Sequence, residues 1–371
     1  TGGFAPRRSN YREIFVRTGL RFKMLLNSLK WLLFPLSGIY SLVTFIRNLL
    51  YDLGFFKIIK VSVPVIAVGN ITAGGTGKTP FVIALAEFFS ECGLRIGIIT
   101  RGYRRQSRGQ VVVSDGKQIL SNPRQAGDEP YLIARNVPNV IVIADTDRIA
   151  AARTAIEKYA CEVIIADDAF QHRRLARDLN IVLWDAQIPA KQRHLLPVGR
   201  LRESLPGLRR ADFLVFSRSD EVDKKQKLFL NKYNPRMSFF NAPLVISALD
   251  ALTAENDSSV SIAGKNALGF CGLGNHVQFE NTVRQLRPGK DIFRRFPDHH
   301  RYTFAELHDL ITIGRNNNCD CLLTTEKDAV NLPEFESQTL PILVLKIKFE
   351  LDEKIRAAIL RNLPPLINFT T

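Results

Sequence analysis

Residues 69–80 read GNITAGGTGKTP, a glycine-rich run that ends in Lys78-Thr79. Gly74, Gly75 and Gly77 let backbone N–H groups turn inward around phosphate oxygens, and the start of a helix adds partial positive charge. In such a loop Lys78 bridges the β- and γ-phosphates of ATP, and the Thr79 hydroxyl is a ligand for Mg²⁺. Thr72, Ala73, Gly74, Gly75, Thr76, Gly77, Lys78 and Thr79 are therefore the expected nucleotide cradle. The strict pattern asks for glycine at position 72, where this chain has Thr72. A second acidic feature is CEVIIADD, a hydrophobic run ending in Asp167-Asp168. Carboxylates at the carboxyl end of a parallel strand face the crevice where such sheets bind ligands, and one of this pair is expected to hold Mg²⁺ directly or through water.

Those residues need a sheet to hold them. VPVIAVGN (63–70), RIGIIT (95–100), VVVS (111–114), VIVIAD (140–145), CEVIIADD (161–168), NIVLWD (180–185) and FLVFSR (213–218) are short Val/Ile-rich runs separated by helical stretches. Near-continuous apolar strands alternating with helices predict an α/β fold, a parallel sheet of the P-loop NTPase type covered on both faces. The charged stretch 219–240, with a turn at Asn234-Pro235, predicts a boundary. Beyond it PLVISALDAL, NALGFCGL, FAELHDLITIGRN, CDCLLTTEKDAV and LPILVLKI predict a smaller second α/β domain. The expected divisions are 1–60 for an N-terminal basic and apolar segment, 61–235 for the phosphate-loop core and 236–371 for the C-terminal domain.

The N-terminal segment carries charge and grease together. Residues 1–60 hold ten Lys/Arg against Glu13 and Asp52, about half of the chain's net +15. Between Lys30 and Arg47 runs WLLFPLSGIYSLVTFI, sixteen residues without a charge. As a helix it covers about 24 Å, short of a hydrocarbon core of about 30 Å, and Pro35 and Gly38 weaken it. With basic flanks suited to anionic headgroups, it predicts a membrane-seated helix, the competing expectation being a buried core helix. The five cysteines form no disulfide scaffold and suit a reducing compartment. Cys319-Asp-Cys321 lacks a second ligand pair and reads as small residues entering a strand. HRRLAR (172–177) lacks interleaved aromatics, so a lipid-phosphate or solvated-helix role is expected and nucleic acid is not.

The motifs resemble a known family when taken in order. GNITAGGTGKTP, TRGY (100–103), GDEP (127–130), DR (147–148), DDAFQHRRLARD (167–178), LLPVGRLRE (195–203), FPDHH (296–300) and TTEKDAV (324–330) look like the tetraacyldisaccharide 4'-kinases. The resemblance runs from the apolar N-terminal helix to about residue 350. It implies transfer of the ATP γ-phosphoryl group to the 4'-hydroxyl of an acylated glucosamine disaccharide 1-phosphate, giving lipid IV-A in lipid A biosynthesis. It further implies Asp128 as catalytic base, His299 as its support with His300 as the neighbouring alternative, and Glu129, Asp167 and Asp168 around the metal. Arg101, Arg148, Gln171, Arg200 and Arg202 resemble residues that handle the substrate phosphate or sugar. The implied setting is the cytoplasmic face of a Gram-negative inner membrane, with the membrane surface and the lipid A precursor as partners and a monomer expected. This chain departs from the family at Ala169, where DDGFQ is usual. A regulatory ATPase of the ParA/MinD-like group is the competing expectation, but that group carries a lysine where this loop has Ala73.

Overall fold

The computed structural model describes residues 33–187, 193–217, 224–252, 261–333 and 340–364. Two compact units divide the chain, one taking residues 1–55 and 188–204, the other 56–187 and 205–371. The described part of the first unit is built on α1 (Leu33–Asp52), twenty residues that Pro35 and Gly38 do not interrupt. At 1.5 Å per residue it is about 30 Å long, enough by length and composition to cross a membrane. Its apolar side chains are exposed, Ile39 by 61% and Phe45 by 62%, so it is no buried core helix. Tyr40 Oη donates to the Arg202 carbonyl (2.6 Å) and Ser37 Oγ to the Leu195 carbonyl (3.1 Å), tying the helix to 193–204 of its own unit.

The second unit contains two sheets. The first is formed by β1 (Val65–Gly69), β2 (Ile96–Thr100), β3 (Val111–Asp115), β4 (Ile141–Ala144), β5 (Val163–Ala166), β6 (Leu179–Asp185), β7 (Phe213–Ser217) and β8 (Ser238–Ala242). Their spatial order is β3-β4-β2-β5-β1-β6-β7-β8. All neighbours are parallel except β3, which runs antiparallel to β4 at one edge. Accompanying helices are α2 (Lys78–Glu91), α3 (Pro123–Ala126), α4 (Asp128–Asn136), α5 (Arg148–Tyr159) and α6 (Lys224–Asn231).

Side chains alternate across a strand with period two. Ile66 and Val68 of β1 accordingly enter one core with Phe81 and Phe89 of α2, while Val65 and Ala67 enter the opposite core with Ile149 and Ala152 of α5. Both faces are dry, which is why these strands read as unbroken Val/Ile runs rather than alternating ones. HRRLAR is not the helix that the sequence suggested. It forms turns in which Arg177 donates to the carbonyls of Ala169, Phe170 and His172.

The second sheet follows after one intervening residue, so β8 extends the first sheet past the expected boundary near 235. It comprises β9 (Leu244–Ala251), β10 (Asn266–Cys271), β11 (Lys290–Arg295), β12 (Cys321–Thr325) and β13 (Ile342–Phe349), ordered β11-β10-β12-β13-β9. β9 runs antiparallel to β13 and the rest are parallel. α7 (His276–Gln285) covers one face, and α8 (Phe304–Asn316) covers the other. α9 (Glu326–Ala329) is a single turn. α10 (Glu353–Asn362) returns to the first sheet, where Ile355 and Ile359 join the core of α2.

Candidate active site

The carboxyl ends of β1, β2 and β5 carry the loops that chemistry needs. After β1 the chain enters the glycine-rich loop, in which Asn70 Nδ2 donates to Thr76 Oγ1 (2.8 Å). Thr72, the departure from the glycine pattern, is buried, and its hydroxyl has no protein hydrogen-bond partner. Gly77 stands at the N-cap of α2 with φ 83°, a left-handed conformation that favours glycine. It has no side chain to cap the helix, so the first amides of α2 are left to a ligand anion. Gly69 is required for a different reason. A Cβ there would lie 2.6 Å from Phe170 Cβ, because the loop packs directly against the turn that follows β5.

That turn presents the acidic pair. Asp168 takes the left-handed conformation (φ 47°), so the neighbouring Ala169 needs no glycine and is instead buried beside α5. Lys78 Nζ lies 3.5 Å from Asp168 Oδ1. Gln171 Nε2 donates to the Asn70 carbonyl (2.8 Å), joining the acidic turn to the phosphate loop. Asp167 is almost fully buried. One of its oxygens accepts from Thr100 Oγ1 (3.3 Å) and the other has no partner. Burial, then the negative charges of Glu129 and Asp168, raise the Asp167 carboxyl above its ordinary range against the pull of Lys78 and Arg148.

Arg148 is itself buried at the start of α5. Its guanidinium donates to the carbonyls of Asp145 (2.6 Å) and Asp167 (3.3 Å), so it braces the acidic turn from behind. Burial lowers it to about 10, although Asp167 and Asp168 oppose that shift.

Glu129 belongs to a second cluster at the start of α4. Gly127 precedes the helix, and Asp128 and Glu129 fill its first turn, where acidic groups complement the helix dipole. Asp128 Oδ2 lies 3.0 Å from His299 Nδ1, 171 residues away in sequence, and both side chains are buried. Burial works to raise the Asp128 carboxyl. Hydrogen bonds from His299 and Asn331 outweigh it and hold the group below the usual carboxylate range. His299 adopts φ 59° and is fixed by its amide bonding to the Gly272 carbonyl. Of the two adjacent histidines only His299 reaches Asp128. His300 turns to Glu306 (3.0 Å) and stacks on Phe296.

Several contributors were not assigned roles from sequence. Asn331 bonds Asp128, and Lys327 Nζ lies 3.2 Å from His299 Nε2. Tyr103 packs its ring against His299 at 5.4 Å. An open cavity of about 510 Å³ beside it is lined by Arg101, Arg104, Arg105 and Arg108 with Tyr103, Ser107 and Thr146, a strongly basic surface. TTEKDAV and TRGY were visible as motifs, but nothing in their composition says which side chain meets a histidine in another loop. Arg200 and Arg202 belong to the other unit, with α1.

The donors fit magnesium. Among the described residues no three His, Cys, Asp or Glu side chains form a ready-made metal cage. Mg²⁺ habitually uses one or two carboxylates and completes its shell with phosphate oxygens and water. A carboxylate with a bare oxygen, pushed up by burial and then by its acidic neighbours, is the arrangement a divalent cation relieves. The paired thiols give no metal site. Cys319 and Cys321 are buried and free at the entry to β12.

The chain is similar to known proteins over most of its length. The family described as LpxK, Tetraacyldisaccharide-1-P 4'-kinase, matches residues 29–364. A tetraacyldisaccharide 4'-kinase of Aquifex aeolicus (strain VF5) is 38% identical over 329 residues, covering 89% of this chain and 98% of that protein. One from Syntrophus aciditrophicus (strain SB) is 37% identical over 326 residues, covering 84% and 87%. The crystal structure of the "apo" form of LpxK from Aquifex aeolicus in complex with ATP superposes with a TM-score of 0.71 at 34% identity, over 91% of this chain and all of that one.

Proposed function

The chain belongs to the tetraacyldisaccharide-1-phosphate 4'-kinase family, and we propose that it transfers the γ-phosphate of ATP to the 4'-hydroxyl of a tetraacyldisaccharide 1-phosphate, forming lipid IV-A in lipid A biosynthesis. The observation that carries the reading is the meeting of two clusters. Glu129, beside Asp128, is close enough to Asp167 to raise its carboxyl, so a proton acceptor and the phosphate-loop acids share one neighbourhood.

In this reading the loop amides and Lys78 hold and neutralise the β- and γ-phosphates. Thr79, Glu129, Asp167 and Asp168 would hold Mg²⁺, which supplies charge neutralisation on the phosphates when bound. The acceptor oxygen attacks the γ-phosphorus, its proton passes to Asp128, and the bond to the β-phosphate oxygen breaks to release ADP. Asp128 suits this role because its depressed carboxyl is ionised at neutral pH and aimed by His299. Arg101, Gln171, Arg200 and Arg202 are assigned to the acceptor's phosphate and sugars, and Arg148 to bracing the acidic turn.

The membrane is assigned as the place of work. The exposed apolar side chains of α1 would seat the first unit in the cytoplasmic leaflet of the inner membrane, where the lipid acceptor resides. The test is incubation with γ-labelled ATP and tetraacyl disaccharide 1-phosphate, followed by thin-layer separation of the lipids. Label in a lipid carrying one more phosphate is expected. Rapid ATP hydrolysis without acceptor, and no labelled lipid, would instead mark a regulatory ATPase.

A further inference from the structure

Lys327 has no part in the reaction as described, yet its position is specific. It lies in α9, and its Nζ is 3.2 Å from both His299 Nε2 and Asp298 Oδ1. On the far side of the same imidazole, Nδ1 is 3.0 Å from Asp128 Oδ2. A lysine ammonium has three protons to donate and nothing with which to accept. Facing it, Nε2 has to be the acceptor, and the ring proton then resides on Nδ1, where it is donated to Asp128. The other tautomer would set a ring N–H against the ammonium and a lone pair against the carboxylate. Two hydrogen bonds would become two repulsions. We propose that Lys327 is a positioning residue for phosphoryl transfer, fixing the tautomer and ring orientation of His299 and thereby the carboxylate oxygen that Asp128 presents to the acceptor hydroxyl.

The surroundings hold the two partners in mutual register. Gly272, just past β10, accepts from the His299 amide through its carbonyl (3.1 Å). Its own amide donates to Asp328 Oδ1 (2.8 Å), the residue next to Lys327. Asp328 is buried and also accepts from Tyr302 Oη (2.9 Å) and Thr325 Oγ1 (2.6 Å). One glycine thus locks the loop that carries the imidazole to the turn that carries the ammonium. Asp298 shares the ammonium with His299, and its carbonyl is held by Arg104 Nη1 (2.6 Å); its Oδ2 lies 3.9 Å from Nε2, outside hydrogen-bond reach, so the ammonium at 3.2 Å is the partner that Nε2 meets. With the ammonium as the hydrogen-bonding partner at Nε2 and a carboxylate at Nδ1, one tautomer is favoured, and a hydrogen bond to a charged group is worth about ten- to a hundredfold.

The consequence for rate rests on the kinase reading, whereas the tautomer does not, and the test separates them. Full-length chain labelled with ¹⁵N-histidine would be examined by long-range ¹H–¹⁵N correlation of the imidazoles. The His299 signals are those that vanish in His299→Gln. In the wild type the proton is expected on Nδ1. Lys327→Met should shift those signals toward Nε2 protonation or a mixture. It should also lower kcat about ten- to a hundredfold with KM for ATP and lipid within about twofold, and Lys327→Arg should restore most of both. A wild-type proton on Nε2, or on both nitrogens, overturns the proposal even if Lys327→Met does not fold. So does a folded Lys327→Met enzyme with unchanged His299 signals or a kcat within about twofold of wild type. Failure of the wild type to label any lipid, with the tautomer shift intact, would count against the kinase reading and not against the geometry.

Discussion

Replacing Asp128 by asparagine isolates the proton-accepting step from everything that binds nucleotide. The side chain is buried, lies 3.0 Å from His299 Nδ1, and receives a further bond from Asn331. Asparagine keeps the size and one acceptor oxygen toward His299 but cannot take a proton. General-base help is worth roughly 10²–10⁴ in rate, which is about 2.7–5.4 kcal/mol of barrier. Asp128→Asn should therefore lower kcat by at least about a hundredfold while ATP affinity, assigned to the loop and Lys78, stays within about threefold. His299→Ala gives the matching calibration. It removes a hydrogen bond to an ionised group, worth about 1.5–3 kcal/mol, so about ten- to a hundredfold in kcat if all of that bond serves to aim the carboxylate. The assay is initial-rate formation of labelled lipid at saturating substrates, with nucleotide binding measured separately on the same preparations. A kcat for Asp128→Asn within about threefold of wild type would refute the base assignment. A larger loss for His299→Ala than for Asp128→Asn would refute the division of roles between them.

Two further tests address stability and location. Asp147 caps α5 by accepting from the amides of Ile149 (3.0 Å) and Ala150 (3.3 Å); slight burial pushes its carboxyl up, but those two bonds and the Arg174 charge outweigh it and hold the group low. Asp147→Ala should cost about 0.5–2 kcal/mol at neutral pH in denaturant melts, and because the folded carboxyl is depressed, the gap should persist down to the ordinary value near pH ~4 and close only below it. On α1, Ile39, Leu42 and Phe45 are all exposed. Their combined replacement by aspartate should move the protein from the membrane to the soluble fraction with no loss of melting temperature, and unchanged membrane association would remove α1 as the anchor.

What could be read from the sequence follows from what is local. β1, β2, β4 and β5 are buried on both faces, so their apolar runs announce themselves, and the glycine loop is defined by neighbouring residues alone. FAELHDLITIGRN coincides with α8 because its helical spacing and its Thr303 cap are also local. β11 was missed for the opposite reason: KDIFRR is charged and half exposed at a sheet edge, so no burial pattern marks it. The reversed direction of β3 and β9 was equally invisible, since strand polarity depends on which edge a chain finds. The pairing of Lys327 with His299, 28 residues apart, depends on two loops converging above different strands. No spacing rule encodes that.

The return of the chain to its first sheet has a consequence for the order in which the protein can be made. Phe349, the last residue of β13, stacks edge-on against Phe81 at 5.5 Å, and its ring would collide with any side chain at Gly77. Ile355 and Ile359 complete the same core. On the ribosome the nucleotide cradle emerges early, but the wall behind it is among the later segments translated. A nascent chain halted near residue 340 would hold the whole glycine-rich loop and still lack the surface that braces Gly77. Competence to bind nucleotide should thus appear late in synthesis, once the Phe349 ring is in place behind Gly77.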